Sequence, residues 1–150
     1  MQILKQDQIL SISLKEALDY FSNPVNLKTI TPPYMGFDVI STDLPQEIYQ
    51  GMIITYKVKP LFRIPLNWLT EITQVRAPFF FVDNQKSGPF AVWHHQHFFE
   101  KHEKGVRMCD LVHYAAPMGV LGKMAERAIV KRRVAEIFDY RYQKLEELFG

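Results

Sequence analysis

Two successive hairpins that run directly into one long helix constrain this chain more than any other feature. They fill Phe79–Gly122, FFFVDNQKSGPFAVWHHQHFFEKHEKGVRMCDLVHYAAPMGVLG. Strand side chains alternate between faces, so the middle run puts Trp93, His95, His97 and Phe99 on one face. The run after Gly105 does the same with Met108, Asp110, Val112 and Tyr114. Such faces mix aromatic bulk with ionisable groups. A surface of that kind is apolar enough to hold a hydrophobic molecule and polar enough to orient it, which points to a ligand cavity.

The remaining elements follow from local chemistry. Ile3 to Leu10 reads as a first strand, and Ser13-Leu14-Lys15-Glu16 is a capping box that starts a helix with Leu14, Ala17, Leu18 and Phe21 on one stripe. Asn23-Pro24 ends that helix and opens a second short one, which Thr31-Pro32-Pro33 stops. Strands are expected over Gly36–Ile40, Met52–Lys59, Ile64–Gln74, Phe79–Gln85, Phe90–Glu100 and Val106–Tyr114, with turn residues between them. Val120–Phe149 reads as one helix of about 45 Å. Its expected inward stripe is Leu121, Met124, Ala125, Ala128, Ala135, Phe138, Tyr142, Leu145 and Phe149. The fold class is therefore α+β, a curved antiparallel sheet of about seven strands wrapped around a C-terminal helix.

Length and composition narrow the function classes. The 150 residues fit one domain, residues 1–150, with a single shared core or cavity. Eleven Phe among 13% aromatics need a place to be buried. A formal net charge of +2, without Lys/Arg clusters interleaved with exposed aromatics, argues against nucleic acid as a partner. Cys109 is the single cysteine, which excludes an internal disulfide and a cysteine-based zinc site and makes a cytoplasmic protein the expectation. No run is apolar and long enough to read as a transmembrane segment, and the N-terminus lacks the apolar core of a signal peptide.

If the turn after Glu100 centres between Glu103 and Lys104, antiparallel pairing sets His97 opposite Asp110, Phe99 opposite Met108, His95 opposite Val112 and Trp93 opposite Tyr114. The His95, His97 and Asp110 group then has three readings. It is a mutually satisfied polar pair that fixes register, a device that orients a ligand's polar head, or a general base in which the carboxylate raises the imidazole pKa. Any catalytic role falls to His97 and Asp110. Two His at i, i+2 point the same way, but Asp110 alone is a thin completion of a metal site, and no metal is expected. His94, His102 and His113 are expected to face solvent, and Cys109 to be inert. Phosphate-cradling glycine motifs and Gly-x-Ser-x-Gly are absent, so no cofactor is expected. Leu61, Phe62 and Ile64 beside Arg63 read as ordinary packing against a neighbouring loop or subunit, with a lid or a tip for transient membrane contact as the alternative; Lys123, Arg127, Lys131, Arg132 and Arg133 read as a solvated face.

The motifs NPxNLxxITPPxxxF over Asn23–Phe37, FVDxQxxGPFxxWxHxH ending at His97, and MxDxVxYxxPxGxLG over Met108–Gly122 carry a family likeness. With the order of elements, they make the chain resemble the SRPBCC superfamily, the START/Bet v 1-like group that includes polyketide cyclases and lipid-transfer domains. The closest likeness is to its bacterial ligand-binding members, sometimes labelled cell-division-inhibitor-like. The resemblance implies a helix-grip fold with a hydrophobic cavity between sheet and last helix, and no particular reaction. The expected ligand is a small hydrophobic or amphipathic molecule, lipid-like or aromatic, in a pocket of roughly 300–1,000 Å³. Its expected wall is Tyr56, Trp68, Phe81, Trp93, His95, His97, Asp110, Tyr114, Met124 and Ala128. An enzyme of cyclase or isomerase type and a ligand-free interaction module are the alternatives.

Overall fold

The computed structural model describes residues 1–60, 63–117 and 123–150, the side chains of Lys123, Ala125 and Glu126 excepted. The first strand, β1 (Gln2–Leu10), runs to Ser13, whose hydroxyl accepts from the Glu16 amide while the Glu16 carboxylate accepts from the Ser13 amide. This reciprocal cap starts α1 (Leu14–Ser22), and Asn23 then caps α2 (Pro24–Thr29) by accepting from the Val25 amide. After a short 3₁₀ turn come β2 (Asp38–Val39), β3 (Ile53–Val58), β4 (Leu66–Arg76), β5 (Phe80–Ser87), β6 (Val92–His102) and β7 (Gly105–Ala115). The chain closes on α3 (Lys123–Phe149). The seven strands form one antiparallel sheet in the order β1-β7-β6-β5-β4-β3-β2, gripping the helix as the helix-grip fold does.

The register of β6 and β7 is the one the turn chemistry dictates: His102 pairs with Gly105, and His97, His95, Phe99 and Trp93 face Asp110, Val112, Met108 and Tyr114. Gly105 is required there. Its φ is +138°, and a Cβ would collide with the Leu10 carbonyl oxygen.

The core divides in two. Met52, Ile54, Tyr56, Val58, Ile72, Phe81, Phe99, Met108 and Leu145 pack with Ala17 and Phe21 of α1 and with Ile30. Trp93, Val112 and Tyr114 pack with Val130, Val134 and Phe138 of α3. The buried face of α3 is thus Val130, Val134, Phe138, Arg141 and Leu145. Met124, Ala128 and Ala135 of the expected stripe are exposed, Met124 to 86%, and Tyr142 lies largely outside; Leu121 and the side chain of Ala125 lie outside the described residues. Spacings of 4, 4, 3 and 4 make this a continuous helical stripe that shares Phe138 and Leu145 with the expected one. Choosing it required accepting a buried arginine in place of alanines. β1 holds the helix through polar contacts, with the Gln6 and Gln8 amides donating to the carbonyls of Phe138 and Tyr142 and the Ser11 amide donating to that of Phe149.

Among the described residues no helix is long and apolar enough to cross a membrane. Leu61 and Phe62 of the apolar hairpin tip lie outside the described residues, and Ile64 is exposed. In the basic run of α3, Arg132 and Arg133 both pair with Glu136, while the Arg133 guanidinium lies 4.7 Å over the Tyr34 ring.

The helix face is checked by substitution. Leu145→Ala should destabilise the fold by about 2–5 kcal/mol, whereas Met124→Ala should shift stability by no more than about 0.5 kcal/mol, both read from urea unfolding midpoints.

Candidate functional site

Three neighbouring strands each send ionisable groups to the concave face. Asp83 of β5 lies directly across from His95 of β6, and His97 directly across from Asp110 of β7. Hydrogen bonds follow the diagonals instead. Asp110 Oδ1 accepts from His95 Nε2 at 2.8 Å, and Asp83 Oδ2 accepts from His97 Nε2 at 2.6 Å. The directly facing pairs are longer, at 3.4 Å for His97 Nδ1 to Asp110 and 3.8 Å for His95 Nδ1 to Asp83. The expected His97–Asp110 hydrogen bond is therefore corrected. Register brings the two residues face to face, but diagonal neighbours in a sheet are within reach of side chains this long.

Arg141 of α3 completes the group, donating from Nη2 to Asp110 Oδ1 at 3.1 Å. Its guanidinium lies 5.1 Å over Phe21 and 5.8 Å over Phe138, one ring from each half of the core. The His95 and His97 rings are 3.7 Å apart, with Phe81 stacked at 4.0 Å on the far side of His97. Asp110 is fully buried, and His95, His97 and Arg141 nearly so; Asp83 keeps 17% of its side-chain surface accessible.

Electrostatics sorts these groups. Burial would raise the Asp110 carboxyl, but the Arg141 charge, the His95 hydrogen bond and the nearby His97 outweigh it and hold the group well below its ordinary value. Burial opposes ionisation of Asp83 as well, and His97, His95 and Arg141 together bring it down. His95 is lowered by burial and by the neighbouring His97, so it stays neutral, with its proton on the Nε2 that faces Asp110. Burial also works against charge on His97, yet the carboxylates of Asp110 and Asp83 on either side of it raise it. The two imidazoles, alike in sequence, differ in chemistry.

An apolar cavity of about 130 Å³ opens beside this cluster. Its wall includes Tyr56, Trp68, Phe81, Trp93, His95 and His97. Asp110 and Tyr114 stand behind it, the first covered by His95 and Arg141 and the second packed beside Trp93 and Phe90. Met124 and Ala128 are exposed on α3 and do not border it; the helix meets the cavity through Ile137, Phe138 and Arg141. Pro24, Leu27 and Ile30 close the other side, so α2 and the residue that follows it do work expected of α3.

Sequence reasoning assigned no role to Asp83 or Arg141. Asp83 was legible as the next inward residue after Phe81, and Arg141 as the residue completing the spacing from Phe138 to Leu145. Asp83, His95 and His97 bring three potential metal-ligand atoms within 4.8 Å of one another, supplying the third ligand that the histidine pair lacked. His94 and His113 lie on the outer face, His94 within 2.5 Å of the Asn84 side-chain oxygen. The Cys109 thiol is pushed up to about 11 by burial and by Asp7, which leaves little thiolate near neutral pH.

Removing Asp110 would strand a buried guanidinium, so Asp110→Ala should cost about 3–5 kcal/mol in urea unfolding. A carboxyl depressed in the fold stabilises above its unfolded pKa and loses that contribution as pH falls through its folded value. Metal-free protein should therefore lose stability below about pH 4, with a flatter acid limb in Asp110→Ala.

No family model matches the chain, nor does any curated protein. Solved structures do. Protein Ms6760 from Mycobacterium smegmatis is 21% identical with a TM-score of 0.69, over 97% of this chain and 89% of its own. TTHA0849 from Thermus thermophilus is 14% identical at 0.73, over 97% and 95%. Ara h 8.0201, a Bet v 1-like protein, is 10% identical at 0.58, over 97% and 98%. What this chain shares with them is the fold.

Proposed function

We propose that the chain binds or carries a small hydrophobic or amphipathic molecule in the cavity between the sheet and α3. The observation that carries this reading is the pairing of an apolar chamber with one polar end, where Asp83, His95, His97 and Arg141 reach the wall. Apolar burial at about 25 cal/mol per Å² supplies the affinity and the polar end supplies orientation. The likeness to a Bet v 1-like protein and the motif resemblance to ligand-binding SRPBCC proteins support the same reading.

Size narrows the ligand class. At about 130 Å³ the cavity is smaller than the expected 300–1,000 Å³. An apolar cavity of about 150 Å³ holds benzene, so a single ring or a short acyl chain is the occupant that fits without repacking. That capacity also argues against a ligand-free interaction module.

The second reading is an enzyme of cyclase or isomerase type. It is favoured by one observation, the His97–Asp83 contact at the wall, which gives an imidazole whose proton affinity is raised and which faces the cavity. Asp110 lies too deep to touch a substrate, so Asp83 takes its place in this reading.

The test is a panel of single-ring aromatics, phenolic acids and short-chain fatty acids, read by thermal shift and by the fluorescence of Trp68 and Trp93. At least one class should bind with a micromolar to millimolar Kd, and Ile137→Phe, which fills the chamber, should weaken binding at least 10-fold while preserving the fold. Binding unaffected by Ile137→Phe, or no binding across the panel, would set the cavity reading aside.

A further inference from the structure

We infer that Asp83, His95 and His97 form a binding site for one divalent first-row transition cation of the Zn²⁺, Co²⁺ or Fe²⁺ kind, with an open coordination position facing the apolar cavity. The site goes beyond ligand carriage and does not depend on it.

His95 donates from Nε2 to Asp110, so its neutral ring presents the bare Nδ1 lone pair to the cavity and to Asp83 Oδ2, 3.8 Å away. Both atoms are acceptors, and among the described residues the donor beside them, His97 Nε2, gives its proton to Asp83 and not to His95. A cation between them takes both lone pairs. His97 Nε2 reaches the same Asp83 oxygen at 2.6 Å, and the three ligand atoms lie within 4.8 Å of one another. Around a tetrahedral ion with bonds of about 2.0–2.1 Å, neighbouring ligand atoms stand about 3.4 Å apart. Closing 3.8 Å and opening 2.6 Å to that value requires changes of less than about 1 Å, and the two imidazole nitrogens, within 4.8 Å of each other, approach by up to about 1.4 Å.

Histidines that hold metals usually give their other nitrogen to a carboxylate, which fixes ring orientation and strengthens the donor. Here both imidazoles turn that other nitrogen to one residue, Asp110, at 2.8 Å from His95 and 3.4 Å from His97. Asp110 is itself held by Arg141. On metal binding, the His97 proton moves from Nε2 to Nδ1, where Asp110 is placed to accept it, and the freed Nε2 lone pair joins the metal. His97 Nδ1 and Asp110 Oδ2 have no hydrogen-bond partner in the metal-free arrangement.

The cluster contains two carboxylates and, among the described residues, one guanidinium; with both imidazoles neutral, as ligands must be, one carboxylate charge is left for a cation to balance. Two imidazoles and one carboxylate are ligands suited to zinc and to non-haem iron, and three protein ligands leave a position for a small molecule from the cavity.

The test uses the metal alone. Protein stripped with EDTA is titrated with Zn²⁺ by calorimetry and with Co²⁺ by visible absorption and tryptophan fluorescence. Trp93 is 6.2 Å from His95, and Trp68 is 5.2 Å from Trp93, so Co²⁺ in this site quenches both. The expected result is one equivalent bound with a Kd of micromolar or tighter, with saturable quenching that EDTA reverses. Asp83→Asn should weaken binding more than 100-fold, and Asp110→Asn about 10–100-fold. His94→Gln on the outer face should change neither. The inference is overturned if no stoichiometric binding occurs, if Co²⁺ binds without quenching tryptophan, or if His94→Gln abolishes binding that a folded Asp83→Asn retains. Because no organic ligand is present, these outcomes leave the cavity reading to its own test.

Discussion

The Asp110–Arg141 ion pair joins the centre of the sheet to the last helix in a place where water cannot help either charge. Two fully or nearly fully buried ions are costly unless each is paired and hydrogen-bonded, so the pair is formed correctly or the fold suffers. Its geometry fixes the rotation of α3 about its axis and its height along β7. From that follow the burial of Phe138 and Leu145 on either side of Arg141 and the exposure of the opposite face. It also explains why the core comes in two parts. The pair and its two histidines occupy the seam, and Phe21, Phe81 and Phe138 pack against them from the two sides.

The architecture was legible from alternation and turn chemistry because those signals are local. The seven strands, the Ser13 capping box, the Asn23-Pro24 break and the full β6–β7 register all depend on residues close together in sequence. The site was legible in its aromatic part and in its histidines. It was misread wherever the answer depended on which of two helical stripes faces inward. Alanines such as Ala128 fit either face, whereas the observed stripe contains a charge whose partner is 31 residues away. A buried arginine can be recognised only with its carboxylate. The cavity's size was equally out of reach, because it depends on how far α2 and the residues beside it lean over β3 and β4.

Sharing one Asp between two histidines, and one Asp–His pair between two strands, gives the cluster a division of labour. Asp110 is structural in its burial and electrostatic in its effect, since it sets the tautomer of His95 without reaching the cavity. Asp83 is the one carboxylate of the cluster with accessible surface. Anything entering the chamber therefore meets a carboxylate and two imidazoles that have already been aligned from behind.

The two-residue turn before Gly105 has a further consequence for how sequences of this fold can drift. Side chains alternate along β6 and β7, so a single residue gained or lost in that turn forces a choice. Either the ladder slips and one strand reverses its faces, bringing in Gln96 for the histidines or Leu111 for Asp110, or the extra residue is bulged out. Gly105 restricts the second escape at its own position, where the Leu10 carbonyl oxygen occupies the place of a Cβ and any residue moved there must be glycine. Insertions that most hairpins would absorb should thus be purged here, and length variation among relatives should collect at the β5–β6 and β4–β5 connections instead.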